Sequence, residues 1–437
     1  GGLYDKVTSG EMQRSELEEL IHTTSLKDSP DEVFLPEIAK KAGYFTAEIG
    51  KLEWGFATTA QRIKRHGWDY HYGYYDHAQC HGFYPPYLFE QGEMIDIPGN
   101  TRDDFGKAPE NETPENREKR WDMTGKKVYS QDLFDQKIVE FLREHKEEPF
   151  FLYHPSQLPH GPIIIPEIHP SLKDVEELSQ YEKEYASMVL RLDETVGLIL
   201  DELESLGIDD KTMVVFSSDN GHAPYYREAG RCDPSRNMHS GRPYDNITTK
   251  FYSELSGDIF NGNDGMAGLK FSAWEGGARI PYLVRWPGKT EGGRVSDHLL
   301  ANYDFMPTLA EAVGVEMPEG KDGISFLPEI MGESDRQEVH DYIVYAAHTG
   351  PCLVTKEGWK LRFVKLPKEN LYQLYYLPDD YREENNIVFD VPEVVKPLSR
   401  ELLMCCDGNF VNGTSEGHRI WTPGYQFYGP ECSWQMR

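Results

Sequence analysis

One lysine, one histidine and an Asp-Asn pair stand in this 437-residue sequence at the same kind of place, just beyond a short apolar run, and a second lysine stands ahead of another such run. Gly50-Lys51 follows residues 44–49, His160 follows Phe151-Leu152-Tyr153, and Asp219-Asn220-Gly221-His222 follows Val214-Val215-Phe216. Lys270 lies in the segment 268–277, ahead of the apolar residues 280–284. Together these groups suit a tetrahedral anion held beside a hard cation. Asp219 and Asn220 offer oxygen donors that fit Ca²⁺ or Mg²⁺ and poorly fit a soft metal. Such a cation polarises a sulfuryl or phosphoryl oxygen. Lys51 and Lys270 would neutralise non-bridging oxygens, and His160 would bind the ester or protonate its leaving oxygen. Taken singly each residue is ordinary, since a lone Lys or Asp is usually solvated charge and Asp-Asn-Gly is often a turn. Their shared position sets them apart.

The elements that must position them follow from periodicity. Apolar spacing predicts a helix over 31–43 stopped by Gly43, a second over about 130–145, and a long third one. The third keeps Tyr185, Met188, Leu192, Val196, Ile199, Leu203 and Leu206 on one face until Gly207. Strands at 44–49, 149–153 and 212–216 alternate with these helices. That alternation implies a mainly parallel sheet covered on both faces, with ligands beyond the carboxyl ends of its strands. Residues 289–340, with a helix at 306–313, read as a passage to a second unit. There 342–345 and 359–363 alternate like antiparallel strands, and a helix over about 392–404 would cover them. The expected division is an α/β/α domain over 1–335 and a small α+β subdomain over 336–437.

A formal charge of −29 argues against a nucleic-acid partner, which needs a basic footprint. It leaves small anions open, provided a few Lys, Arg and His converge locally. With 38% hydrophobic and 12% aromatic residues the chain has material for a large core, and no apolar run reaches the ~18 residues of a membrane span. Six cysteines form no CxxC pair and read as buried thiols, with room for one disulfide near the C-terminus.

Five ordered motifs resemble those of type I sulfatases. The GKxxxG segment resembles Gly50 to Gly55, PHxP resembles Pro159-His160-Gly161-Pro162, and SDNG resembles Ser218 to Gly221. GxKxxxxEGGxRxPxxxRWPG is similar to Gly268 to Gly288, and an aspartate-led LPTL helix is similar to Asp304 to Leu309. The resemblance implies an alkaline-phosphatase-like α/β/α fold with a smaller C-terminal antiparallel sheet plus helix. It implies Asp219 and Asn220 as Ca²⁺ ligands, with Lys51, His160 and Lys270 as sulfate-binding or acid-base residues. It also implies a formylglycine nucleophile, made from Cys or Ser, whose hydrate attacks sulfur. The expected substrate is a sulfated carbohydrate met in the periplasm or outside the cell. A phosphoester hydrolase of the same superfamily and an inactive sulfated-glycan-binding protein are the alternatives.

Two departures from the family pattern carry expectations of their own. Paired aspartates and a C/S-x-P-x-R segment are expected ahead of Lys51 and are not found there, so the chain reads as N-terminally truncated and inactive by itself. Cys232-Asp233-Pro234-Ser235-Arg236 matches the maturation pattern but follows the Asp219-Asn220 pair, and is read as a coincidence in a loop. The second departure is Glu53, where the family usually carries His; Glu53 is a candidate base, a substrate selector or a structural replacement. His66, His77, His81 and His222 are candidates for a compensating imidazole, with His77, His81 and His222 also placed near substrate. The aromatic run from Trp68 to Tyr87 would stack on sugar rings or pack as a loop core.

Overall fold

Apolar β-branched and aromatic residues bounded by glycines build the strands that carry the site. The computed structural model describes residues 7, 10–23, 32–51, 60–75, 79–101, 114–224, 250–255, 257–270, 272–347, 350–365 and 370–413. The central sheet holds β1 (Phe45–Gly50), β2 (Tyr70–Gly73), β3 (Tyr87–Glu90), β4 (Glu93–Asp96) and β5 (Phe150–Tyr153), in the order β4-β3-β2-β1-β5. Strand β1 runs parallel to both neighbours, with Ala47 opposite Tyr70 and Leu152, as the helix-strand alternation requires. The sheet is mixed, because the antiparallel hairpin β3–β4 extends it beyond β2. A separate antiparallel pair, β6 (Val214–Ser217) and β7 (Tyr282–Arg285), carries the Asp219-Asn220 turn at its end.

Each face of the central sheet has its own apolar layer, because side chains alternate along β1. Ala47 and Ile49 face Phe134, Ile138, Phe141 and Leu142 of the helix Ser130–His145 and Leu203 of the helix Gln180–Ser205. The opposite face packs on Leu17 and Ile21 of the helix Arg14–Thr23 and on Ile63, Trp68, Tyr75 and Phe89. The helix Gln180–Ser205 starts in a capping box, where Ser179 Oγ accepts from the Glu182 amide and Glu182 Oε2 accepts from the Ser179 amide. The helix Phe305–Val313 packs its Leu309 and Ala310 on Ile38 of the helix Leu35–Lys41, so the passage region is part of the α/β body.

The aromatic run is core. Trp68, Tyr72, Tyr74, Tyr75, Phe83, Tyr84 and Tyr87 are all buried, so none of them offers a face to a sugar, and the sugar-stacking reading of this stretch is set aside.

Strands β8 (Tyr342–Ala347), β9 (Gly350–Thr355), β10 (Trp359–Lys365) and β11 (Asn370–Tyr376) form a second, wholly antiparallel sheet. One face holds Leu353, Leu361, Phe363 and Leu374 against Leu398 and Leu402 of the helix Pro392–Cys405. The other holds Ile343, Cys352, Val354 and Tyr375 against Ala267, Ala273 and Trp274, the loop that carries Lys270. Among the described cysteines Cys80, Cys352 and Cys406 are buried and Cys405 is exposed, all as free thiols. No helix of the described residues is long and apolar enough to cross a membrane.

Candidate functional site

The carboxyl ends of β1, β5 and β6 deliver the residues that spacing singled out. At the end of β1 the Lys51 amide donates to the Pro155 carbonyl at 2.7 Å, which ties this strand end to the loop leaving β5. Only glycine fits the preceding position: Gly50 has φ +141°, and a Cβ there would lie 2.6 Å from the Pro155 oxygen. From beneath, the His154 ring donates through Nδ1 to the Ile49 carbonyl at 2.6 Å.

His160 ends the same loop with its imidazole fixed. Its Nδ1 lies 2.6 Å from the Gly161 carbonyl, which can only accept, so the proton sits on Nδ1 and Nε2 presents a lone pair. Lys270 Nζ meets that Nε2 at 3.3 Å, and the His81 ring stands edge-on with centroids 4.7 Å apart. Burial, then the charges of Lys270, His81 and Lys51, push His160 well below the usual imidazole range, with only the Gly161 bond working the other way. The structure thus brings Lys51, His160 and Lys270 within electrostatic reach of one another.

The Asp219-Asn220 turn and the Lys270 loop are laced together by backbone. Gly221 and His222 donate to the Gly277 and Gly276 carbonyls at 2.9 and 3.2 Å, and the Lys270 amide returns to the His222 carbonyl at 2.8 Å. Gly221 permits this contact, since a Cβ would lie 2.2 Å from the Gly276 oxygen. Asp219, Asn220 and Lys270 all line one open groove of about 1740 Å³. Among the described residues the Asp219 carboxylate and the Asn220 side-chain amide have no hydrogen-bond or ion-pair partner. Two free hard oxygens in the groove that Lys270 also lines fit part of a calcium shell, which takes roughly 6 to 8 oxygens. No group of three or more His, Cys, Asp or Glu among the described residues gathers as a metal site.

The candidates placed nearer substrate take other positions. The His222 imidazole is turned into the scaffold, with Nε2 3.0 Å from Asp258 Oδ2, and it does not line the groove. Asp258 is completed there by Ser253 Oγ at 2.6 Å and the Gly262 amide at 3.0 Å. His222 joins the two loops through its backbone, a contact that spacing alone does not reveal. His81 is buried with its ring edge-on to that of His160. His66 is buried and stacked on Phe34 at 3.9 Å. Glu53, His77 and Cys232 lie outside the described residues.

Parallel strands flanked by helices, with Lys51 and His160 beyond the ends of β1 and β5, define an α/β architecture, and the Asp219-Asn220 turn follows the antiparallel pair β6–β7. The family model described as Sulfatase matches residues 13–315, and that described as N-sulphoglucosamine sulphohydrolase, C-terminal, matches residues 269–405. The chain belongs to the sulfatase family. It is similar to the N-acetylgalactosamine-6-O-sulfatase of Bacteroides thetaiotaomicron, at 29% identity over 289 residues, covering 62% of this chain and 50% of that protein. It is also similar to the N-acetylgalactosamine-6-sulfatase of Homo sapiens, at 28% identity over 315 residues, 69% of this chain and 49% of that one. The chain thus spans about half the length of these relatives. Two solved structures share the fold. One is a protein from work on the metabolism of multiple glycosaminoglycans by Bacteroides thetaiotaomicron, with TM-score 0.62 and 23% identity, covering 87% of this chain and 83% of that one. The other is a protein in complex with D-glucosamine-2-N,6-O-disulfate, with TM-score 0.57 and 19% identity, covering 86% and 82%.

Proposed function

We propose that this chain forms the sulfate-binding and acid-base part of a calcium-dependent, formylglycine-dependent sulfatase acting on a sulfated carbohydrate outside the cytoplasm. The observation that carries this reading is the contact of Lys270, which lines one groove with Asp219 and Asn220, with the unprotonated Nε2 of His160, on which the charge of Lys51 also acts. A sulfate monoester placed there meets two ammonium groups for its non-bridging oxygens, each a charge-assisted hydrogen bond. Burial and then the neighbouring charges keep His160 neutral; the ester's negative charge offsets the repulsion, so His160 takes up a proton as the ester binds and can return it to the departing alkoxide. Asp219 and Asn220 would hold the calcium ion, which when bound polarises a sulfuryl oxygen. The proposed nucleophile is not among the described residues. The division at residues 335 and 336 belongs to the same reading: the smaller sheet buttresses the loop bearing Lys270 from the C-terminal side.

The test is hydrolysis of N-acetylgalactosamine 6-sulfate against the corresponding phosphate. It uses protein made in a host with the formylglycine maturation enzyme, together with any residues that its gene encodes ahead of Gly1. The account expects calcium-dependent sulfate release that exceeds phosphate release, and a loss of about 10²-fold or more in His160→Ala. Preferential phosphate release would move the chain to phosphoester chemistry, and binding of the sulfated sugar without any turnover would make it a binding protein.

A further inference from the structure

Beneath the Lys270 loop a buried ion cluster joins it to the C-terminal sheet. Strand β10 alternates Trp359-Lys360-Leu361-Arg362-Phe363, and Leu361 and Phe363 face the helix Pro392–Cys405. Lys360 and Arg362 point the other way, a pattern that in a half-exposed strand means solvent. Instead Lys360 is 0% exposed and Arg362 2%. Lys360 Nζ lies 2.9 Å from Glu275 Oε1 and 2.7 Å from Glu383 Oε1, and the Glu275 amide donates to Glu383 Oε2 at 2.8 Å. The Arg362 guanidinium sits 3.6 Å from the centre of the Trp274 ring. Burial works against the charge of Lys360, but Glu275 and Glu383 outweigh it and hold the ammonium protonated.

Buried ion pairs are an expensive way to gain stability, since apolar residues of similar volume often serve as well. What such a cluster adds is a fixed direction, and here the direction leads to the site. Next to Glu275, the Gly276 amide donates to the Ala267 carbonyl at 2.8 Å, and the Gly276 carbonyl receives the His222 amide. The His222 carbonyl in turn receives the Lys270 amide. Glu275 is thus a short run of backbone bonds away from both Lys270 and the Asp219-Asn220 turn.

We propose that Lys360 and Glu383, on the C-terminal sheet and the loop beyond it, are positioning residues for the anion site. Through Glu275 they set the loop from which Lys270 reaches His160. The proposal rests on the sulfate-binding reading for its affinity measurement only. It is tested in the full chain with the charge-balanced double variant Lys360→Met/Glu383→Gln, with Lys360→Arg as the conservative variant and Glu383→Gln as a milder one should the double variant not fold. Two quantities are read: the titration of the His160 ring by NMR without ligand, and the affinity for inorganic sulfate by calorimetry.

The expected result is a folded double variant whose His160 titrates at higher pH, because Lys270 no longer presses on it, and whose sulfate affinity falls about 3- to 30-fold. Adding Lys270→Met should then cost little more than Lys270→Met alone, since the two act through one contact. Lys360→Arg should keep most of both readouts, and Glu383→Gln should move His160 by a smaller step in the same direction. An unmoved His160 titration in a folded variant, or losses fully additive with Lys270→Met, would overturn the proposal. Absence of sulfate binding in the unaltered chain would count against the functional reading instead, and the His160 titration would still decide the positioning role.

Discussion

His160 holds one proton on Nδ1, and its unprotonated Nε2 faces an ammonium group, so the resting site is set to accept charge. An arriving sulfate cancels the repulsion from Lys270, His81 and Lys51 that helps to keep the ring neutral. Sulfate binding near neutral pH should therefore be accompanied by proton uptake. Calorimetry in buffers of different ionisation enthalpy should find a fraction of a proton or more taken up per sulfate, and His160→Gln should abolish it; binding without proton exchange would contradict this account. At this scale the sequence was informative wherever a residue ends a strand, because position beyond a strand is visible in local pattern. Lys51 and His160 could be named in that way, whereas Lys270 precedes the apolar residues 280–284. Asp258, Lys360 and Glu383 could not, since their partners His222 and Glu275 are distant in the chain and alternation makes Lys360 look solvated.

The junction of β1 with the loop after β5 is the element on which Lys51 depends. Gly50→Ala would drive a Cβ against the Pro155 oxygen at a positive φ and strain the 2.7 Å bond from the Lys51 amide. A destabilisation of about 1–3 kcal/mol is expected, with weaker sulfate binding, measured by urea unfolding and calorimetry. A variant as stable and as tight as the parent would show that this strand end does not constrain Lys51. Long periodic elements were read well: the helix Ser130–His145 was expected at about 130–145, and the end of the helix Gln180–Ser205 near Gly207. The hairpin β3–β4 escaped because its aromatic surroundings resemble a packed loop. Strand β9 escaped because it is buried throughout and shows no alternation.

Across the whole molecule, several histidines are folded in neutral form, and this predicts its response to acid. Burial pushes His71 down to about 3 and lowers His154 and His160 as well, whereas unfolded histidines titrate near 6.5. Below about pH 6.5 the unfolded chain binds protons that the folded chain refuses, so stability present above that pH is lost as pH falls toward the folded values. The loss should approach roughly 1.4 kcal/mol per pH unit for each such histidine. It should begin well above pH 4.5, before the carboxylates contribute, and urea midpoints at pH 7, 6 and 5 would show it. His71→Phe should flatten the dependence.

The same molecule carries a net charge of −29 and yet brings the charges of Lys51 and Lys270 to bear on His160, while Lys270 lines one groove with the free oxygens of Asp219 and Asn220. The central claim is that these form a single site for a sulfate group and a calcium ion. Its most direct test is a calorimetric titration of the chain with N-acetylgalactosamine 6-sulfate, with and without calcium, in the parent, Lys270→Met and Asp219→Ala. Linkage requires that calcium tighten sulfate binding and that sulfate tighten calcium binding by the same factor. The account predicts that this coupling is seen in the parent and absent in Asp219→Ala. It also predicts a loss of about 10- to 100-fold in sulfate affinity in Lys270→Met, the worth of one charge-assisted bond. Sulfate affinity indifferent to both calcium and Lys270 would contradict it.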